Sequence, residues 1–457
     1  MKYTKTKTLV LLLLFFCLIT TGFRCNFITP AEEQALQPVE LTWWGVSDEP
    51  GNFDEMIADY RALHPHVSIA YRQIRWAEFE TELLDALAED RGPDIFTIKN
   101  TWLTKYLSKI EPMPATTKIA YQYIKTSLNI KEETVTEIRE NPSITAAQLK
   151  NAFLDVVYND VVRDNKIYGL PTWVDTLVMF YNRDLLNNAG IPLPPTTWLA
   201  MQQNVKALTY QDKNGNLIQS GTALGTASNI DYAADILSLL MMQNGAEMTN
   251  GNQVTFGSIP TNIDIKDYNP GLEALRFYTD FANNEREVYT WNGTFPNSLD
   301  SFAQGRVAII FGYNDDIAYL ESKRGGKLNY GIAAMPQIEG RPTTNYANYW
   351  INTVSKKSKN INEAWDFLQF IAKSAEAKKY LAKTNRPTAL RSLVDEQKKN
   401  DQLQVFADQL LTAKSWYQGK NATAMEQSFK TMIDSVNQNT ALKEAIELGI
   451  QKIQQTY

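Results

Sequence analysis

The sequence predicts an α/β protein whose first lobe is built on an open parallel sheet, with a second α/β unit following in the same chain. Three observations predict it. Short apolar runs alternate with amphipathic helical stretches between residues 39 and 98, the links between them are short, and helix and strand signals resume from residue 115 onward. At 457 residues the chain also holds material for two ordinary domains with sizeable cores.

Residues 39–46 form a short apolar stretch that fits a buried strand. Asn52 is placed to cap the next helix, with Glu55 completing a capping box. Phe53, Met56, Ile57, Tyr60 and Leu63 then recur at helical spacing until Pro65 ends the helix. Val67, Ile69 and Tyr71 alternate as in a strand. Trp76, Phe79, Leu83, Leu84 and Leu87 mark a second helix closed by Gly92-Pro93, and residues 94–98 read as a third strand. Strands separated by single helices require right-handed crossovers and so run parallel.

In the second unit, residues 115–165 read as helical, with segments at 119–128 and 146–162. Residues 174–181 are a strand candidate, and 183–189 a short helix ended by Gly190. The prolines of Ile191-Pro192-Leu193-Pro194-Pro195 forbid a helix there, and Thr197 caps one carrying Trp198, Met201, Val205 and Leu208. Further helices are expected at 232–243 and 271–283. Residues 307–311, beside Gly312, read as a central strand. Asn360 and Glu363 repeat the capping-box pattern ahead of Ala364, Phe367, Leu368 and Ile371.

The N-terminus carries a different signal. Lys2, Lys5 and Lys7 precede an apolar run over residues 9–23. Its roughly 15 residues suit a signal peptide better than a membrane span of about 20. Cys25 follows directly and resembles a bacterial lipoprotein cleavage site, although Arg24 stands where a small residue is usual. Residues 1–24 are therefore read as a leader, Cys25 as the lipidation site, and residues 25–37 as a tether. A plain signal peptide and an uncleaved anchor are the alternatives, and all three place the body outside the cytoplasm.

Supply excludes several chemistries. Cys17 and Cys25 both belong to the leader region, so no body cysteine serves as nucleophile, disulfide or thiolate ligand. His64 and His66, flanking Pro65, are the two histidines, too few for a multi-histidine metal site and badly placed for a triad. Neither a metal nor another cofactor is expected. Loss of residues 1–24 moves the formal net charge from −6 to −10, which argues against nucleic acid as a partner.

Several motifs then fall in a specific order. Leu41-Thr42-Trp43-Trp44-Gly45 opens the first lobe; Arg91-Gly92-Pro93-Asp94-Ile95-Phe96 and Asn100-Thr101-Trp102 flank the third strand. Tyr168-Gly169-Leu170-Pro171, Asp175, Tyr181-Asn182-Arg183-Asp184-Leu185, Gly190-Ile191-Pro192 and Thr197-Trp198 come next. Gly305-Arg306-Val307-Ala308, Gly312-Tyr313 and Ala364-Trp365-Asp366-Phe367-Leu368 complete the set. Together they resemble the family 1 extracellular solute-binding proteins of ABC importers, the maltose-binding-like group, from about Val39 to beyond Arg386.

The resemblance implies a two-lobe periplasmic-binding-protein (Venus flytrap) fold with open mixed, mostly parallel sheets and crossing hinge segments. One lobe would take residues 38–155 and 345–384, the other 156–344 and 385–457. It implies a non-enzymatic receptor that binds a sugar or oligosaccharide between the lobes and delivers it to the transmembrane permease subunits. The partners are then a small carbohydrate, the permease, and the membrane through the lipidated N-terminus, with the protein acting as a monomer. A secreted glycoside-active enzyme and a ligand sensor on the same fold are the competing readings.

Sugar recognition calls for rings that pack on C–H faces and for polar groups that meet hydroxyls. Trp44 ends the first strand, and strand alternation sends one of Trp43 and Trp44 to the core. Asn100 and Trp102 follow the third strand, where similar proteins place ligand contacts; a helix-face tryptophan packing on Tyr106 is the plain alternative for Trp102. Trp173 and Asp175 open the next strand, and Asp175 aligns with an acidic ligand contact of the family. Tyr313 falls where the family places a stacking ring. Asn348 and Tyr349 sit where the chain crosses back, next to Trp350, which reads as structural. Arg386 either donates to hydroxyls or pins the hinge. Trp416 stacks on the outer end of a ligand or, with Tyr417, packs in the core. Three features read as decoys: Asp315-Asp316 as a solvated turn, Asp212-Lys213-Asn214-Gly215-Asn216 as a hairpin turn, and Lys356-Lys357-Ser358-Lys359 as a solvated loop.

Overall fold

A computed structural model of the protein describes residues 30–126, 132–261, 268–323 and 328–457. The leader and Cys25 lie outside the described residues.

The first lobe holds the parallel sheet the sequence predicts. Strands Val39–Gly45, Val67–Gln73 and Ile95–Lys99 run parallel, with Val39–Gly45 in the middle. Trp350–Val354 arrives from far along the chain and joins antiparallel at the Ile95–Lys99 edge. Alternation divides the first strand as expected: Trp43 is 1% exposed, its indole N–H donating to Thr97 Oγ1 at 3.2 Å and its ring packed on Phe53 and Tyr71. Trp44 takes the other face and stays half-buried.

Helices Asp54–Leu63 and Trp76–Ala88 are the crossovers, but the capping differs from expectation. A 3-10 turn, Pro50–Phe53, precedes the first helix, so Phe53 occupies the cap position and the Asn52 amide donates to Asp48 at 3.3 Å. Asn360 does sit at the cap of helix Ile361–Ile371, yet its side chain points toward Asp94 at 3.4 Å. In both cases the asparagine turns its amide N–H toward a nearby carboxylate, a charge-assisted bond, instead of presenting its oxygen to the helix. The capping box is found instead at Thr145 with Gln148, and Thr197 caps its helix through Ala200 N–H at 3.1 Å.

The described residues of the stretch expected to be helical after 115 are strands up to Pro142, and residues 127 and 128 of the expected 119–128 helix lie outside the described residues. Thr116–Thr126 pairs antiparallel with Glu132–Pro142 in a long hairpin, while the helices expected after it stand at Ala146–Ala152 and Asp155–Val161. The hairpin is fastened by one buried carboxylate. Asp366 accepts from Thr117 Oγ1 at 3.0 Å, Asn141 Nδ2 at 3.4 Å and Tyr60 O–H at 3.1 Å, and His64 Nδ1 meets the Ala120 carbonyl at 2.8 Å. Tertiary anchoring of β-branched residues overrides the helical spacing of its apolar positions.

The second lobe holds a five-stranded mixed sheet ordered Tyr210–Gln211, Leu217–Thr222, Val307–Gly312, Val178–Asn182, Tyr330–Ala333. Leu217–Thr222 runs parallel to the fully buried Val307–Gly312, and the other pairings are antiparallel. The Asp212 loop is the expected hairpin turn, its carboxylate accepting Asn214 and Asn216 N–H at 2.8 and 2.9 Å. Past the expected boundary at residue 155, Leu170 still pairs with Asn352 of the first sheet. Crossing occurs where Asp175–Thr176 pairs with Ala347–Asn348 and Asn345–Tyr346 pairs with Ala413–Lys414. The C-terminal helices Ala422–Asn437 and Leu442–Gln454 pack on helices Ala233–Asn244 and Pro270–Asp280 of the second lobe.

Candidate functional site

Both sheets present strand ends to the space between the lobes, the position where open α/β sheets bind ligands. In the first lobe the C-terminal ends of the three parallel strands and the start of the antiparallel Trp350–Val354 share one edge. That edge collects Trp44, Arg72, Trp76, Lys99, Trp102 and Trp350. Trp76, half exposed, stacks on Trp102 at 5.4 Å, and Trp350 meets both edge-on at 5.6 and 6.4 Å. The Lys99 ammonium lies 4.8 Å over the Trp76 ring, and the Arg72 guanidinium 5.0 Å over Trp44. Trp102 also stacks on Tyr106, as the plain reading of this residue expects.

The second lobe brings different chemistry to the gap. Tyr313 follows the end of Val307–Gly312, and its hydroxyl donates to Asp235 Oδ2 at 2.8 Å. Asp235 sits in the first turn of helix Ala233–Asn244, and Asn348, on a crossing strand, donates to the same oxygen at 3.3 Å. Burial and the negative charge of Glu426 push Asp235 up to about 6, against the pull of the Tyr313 hydroxyl and of Lys99. Asp315-Asp316 is a solvated turn only in part: Asp315 is exposed in a turn as expected, and Asp316 is not. Asp316 is buried, accepting Tyr313 N–H at 2.7 Å and the Tyr232 hydroxyl at 2.9 Å, and burial raises it to about 7. Asp315 points the other way, to Arg386, as expected of carboxylates adjacent in sequence.

Two polar clusters tie the lobes. Arg386 donates to the Ser47 carbonyl at 3.0 Å and to Asp315 at 2.9 Å, lies 3.5 Å from Asp48, and covers the Trp173 ring at 4.1 Å. Asp160 accepts from Asn100 at 3.0 Å, from Tyr349 at 2.8 Å and from Ser415. Burial raises Asp160 while those three donors draw it back down. Nearby, Thr104 donates to the Gln418 carbonyl at 2.7 Å.

The sequence points to ten residues, and the structure sorts them. Trp44 and Asn348 stand half-buried at the facing edges, and Trp102 and Tyr313 lie buried beside them. Asn100, Tyr349, Trp173 and Arg386 are buried in the two ties. Asp175 is 1% exposed, its two oxygens accepting Thr176 and Asn314 N–H at 2.8 Å each; burial and the charge of Asp315 raise it well above the usual carboxylate range. Trp416 is not at the edge: it is 6% exposed, packed on Phe256 and Phe429 within the second lobe, with its N–H on Ser238 at 3.1 Å. Sequence reasoning missed Trp76, Arg72, Lys99 and Asp235. The signal for the first three was the rule that placed Trp44 and Trp102, namely position at or just past the C-terminal end of a strand.

Comparison with known proteins agrees with this architecture. The sequence profile of the bacterial extracellular solute-binding proteins matches residues 45–378. A binding protein of Brucella abortus (strain 2308) is 22% identical over 333 residues, 70% of this chain and 68% of that one. The maltodextrin-binding protein MdxE of Bacillus subtilis (strain 168) is 29% identical over 262 residues, 54% of this chain and 56% of that protein. Among solved structures, the sugar-binding protein MalE from Xanthomonas citri shares the fold with a TM-score of 0.67 at 19% identity, over 92% of this chain and 97% of that one. On the profile match, which spans well over half of the sequence, and on the two-lobe fold, this chain belongs to the bacterial extracellular solute-binding protein family.

Proposed function

We propose that this protein is the extracytoplasmic receptor of an ABC importer, taking a sugar or oligosaccharide between its lobes and passing it unchanged to the permease. One observation carries the reading: two facing edges of opposite chemistry, tryptophans with cations on one side, a carboxylate with phenols on the other. A pyranose has apolar C–H faces and a girdle of hydroxyls, and such a gap serves both at once. Trp44, Trp102, Tyr313 and Asn348 would touch the ligand, with Trp76 extending the ring surface. Asn100, Trp173, Asp175, Tyr349 and Arg386 would hold the edges in register, and Trp416 would stiffen the second lobe.

A ligand that contacts both lobes favours the arrangement in which they meet, and the permease would recognise that arrangement. The tie through Arg386 already joins Ser47 of one lobe to Asp315 of the other. The basic start, apolar run and Cys25 support export and lipid anchoring at the cytoplasmic membrane. A thermal-shift screen of the purified protein against mono- and oligosaccharides tests the proposal. A raised melting temperature with the sugar recovered intact is expected; no response to any carbohydrate sinks the receptor reading, and recovered cleavage products would favour an enzyme.

A further inference from the structure

We propose that Asp235, and not Asp175, is the carboxylate that reads the ligand's hydroxyls and so sets its specificity. The inference rests on the carbohydrate-receptor reading and deepens it.

Asp175 has little left to offer a ligand. It is 1% exposed, and each of its oxygens is engaged by a backbone N–H, of Thr176 and of Asn314. Its own backbone pairs with Asn348 at the crossing. These bonds join the crossing strand to the turn after Val307–Gly312, which is the work of a brace.

Asp235 is built differently. Tyr313 and Asn348 both donate to Oδ2, which fixes the carboxylate in one orientation. Oδ1 takes no hydrogen bond among the described residues, and the side chain keeps accessible surface although protein surrounds it. A carboxylate held through one oxygen, with the other left without a hydrogen bond among the described residues, is a preorganised acceptor. Ionised, it accepts only, so its partner must present O–H or N–H donors. A sugar with a free hydroxyl at that point binds; the same sugar deoxygenated there leaves the carboxylate unpaired and is rejected.

The surroundings give the acceptor a working range. Glu426, from helix Ala422–Asn437, is the like charge facing Asp235, and Lys99, across the gap on the first lobe, is the opposing cation. The phenols of Tyr232, Tyr313 and Tyr346 complete the ionisable surroundings. With burial, these groups set the carboxyl at about 6, so it is charged at neutral pH and neutral in mild acid. Its capacity to hold hydroxyls falls as pH falls through that range.

The test takes the tightest binder from a panel of glucose-, galactose- and mannose-based oligosaccharides to calorimetry at about pH 5 and about pH 7.5. Wild type is expected to bind more weakly at the lower pH. Asp235→Asn is expected to weaken binding at the higher pH by about 10- to 100-fold, the worth of a charged hydrogen bond, and to remove the pH dependence. Unchanged affinity in Asp235→Asn, or loss of the pH dependence in Asp175→Asn instead, overturns the assignment. Should Asp235→Asn not fold, wild type decides alone, because affinity constant across that range overturns it as well. A wild type that binds none of the panel removes the receptor reading itself, which is a separate outcome.

Discussion

The two edges that face each other are made from the same structural material and put to different uses. In the first lobe three parallel strands end together and deliver rings: Trp44, Trp76 and Trp102, joined by Trp350 from the antiparallel strand. In the second lobe one parallel pair ends at the gap, and the side chains gathered there are polar and already committed to one another: Tyr232 to Asp316, Tyr313 to Asp235. The first edge is a surface, whose attraction grows with area and tolerates sliding. The second is a set of directed bonds, which tolerate little displacement. Affinity should therefore depend on the first lobe and discrimination on the second.

The largest expected effect comes from cutting what holds the two edges together. Arg386→Ala strips the cation from Asp48, whose side chain is 9% exposed, and from Asp315. It should cost about 3–5 kcal/mol of stability in denaturant titration, as expected for a buried ion left alone; a loss below about 1 kcal/mol would show that the lobes are held by other contacts. Next comes Trp102→Ala, which empties a buried aromatic position and should cost about 3 kcal/mol by the same measurement. Trp76→Ala separates ligand from scaffold. This ring is half exposed, so stability should move by less than about 1 kcal/mol while affinity for the best sugar drops by roughly tenfold. Equal loss of stability and affinity would erase the contrast between the lobes.

The polar edge is sharpened by pH. Asp316 titrates higher in the folded protein, about 7, than a free carboxyl at about 3.9. Its stabilising share is thus complete at acid pH and lost as pH rises through about 7. The melting-temperature advantage of wild type over Asp316→Asn should shrink between about pH 5 and pH 8. The smallest effect belongs to Lys99→Met, which removes the cation opposing Asp235 and should raise the midpoint of pH-dependent binding by less than about one unit.

Much of this was legible in the sequence. Period-two and period-3.6 spacing located both central strands and the crossover helices because those residues face one continuous core. The places of Trp44 and Trp102 at this edge of the first sheet were legible from where the strands end. The hairpin was not: apolar residues over 119–128 fall at intervals that also fit a helix. The stronger clue lay in Thr134, Thr136 and Ile138 alternating with Glu133, Val135 and Glu137, β-formers at strand period. The roles of Asp175 and Asp235 were illegible for a different reason. Sequence shows that a carboxylate stands near a strand end, but whether backbone amides occupy it first depends on Asn314, 139 positions away.

The hairpin also bears on which way the molecule faces. It lies against His64 and the Asp366 side of the first lobe, at the edge where the parallel strands begin, and the short helix Pro30–Ala35 packs on it. The described chain therefore enters the first lobe at the end where its parallel strands begin, away from the edge that carries Trp44, Trp102 and Trp350.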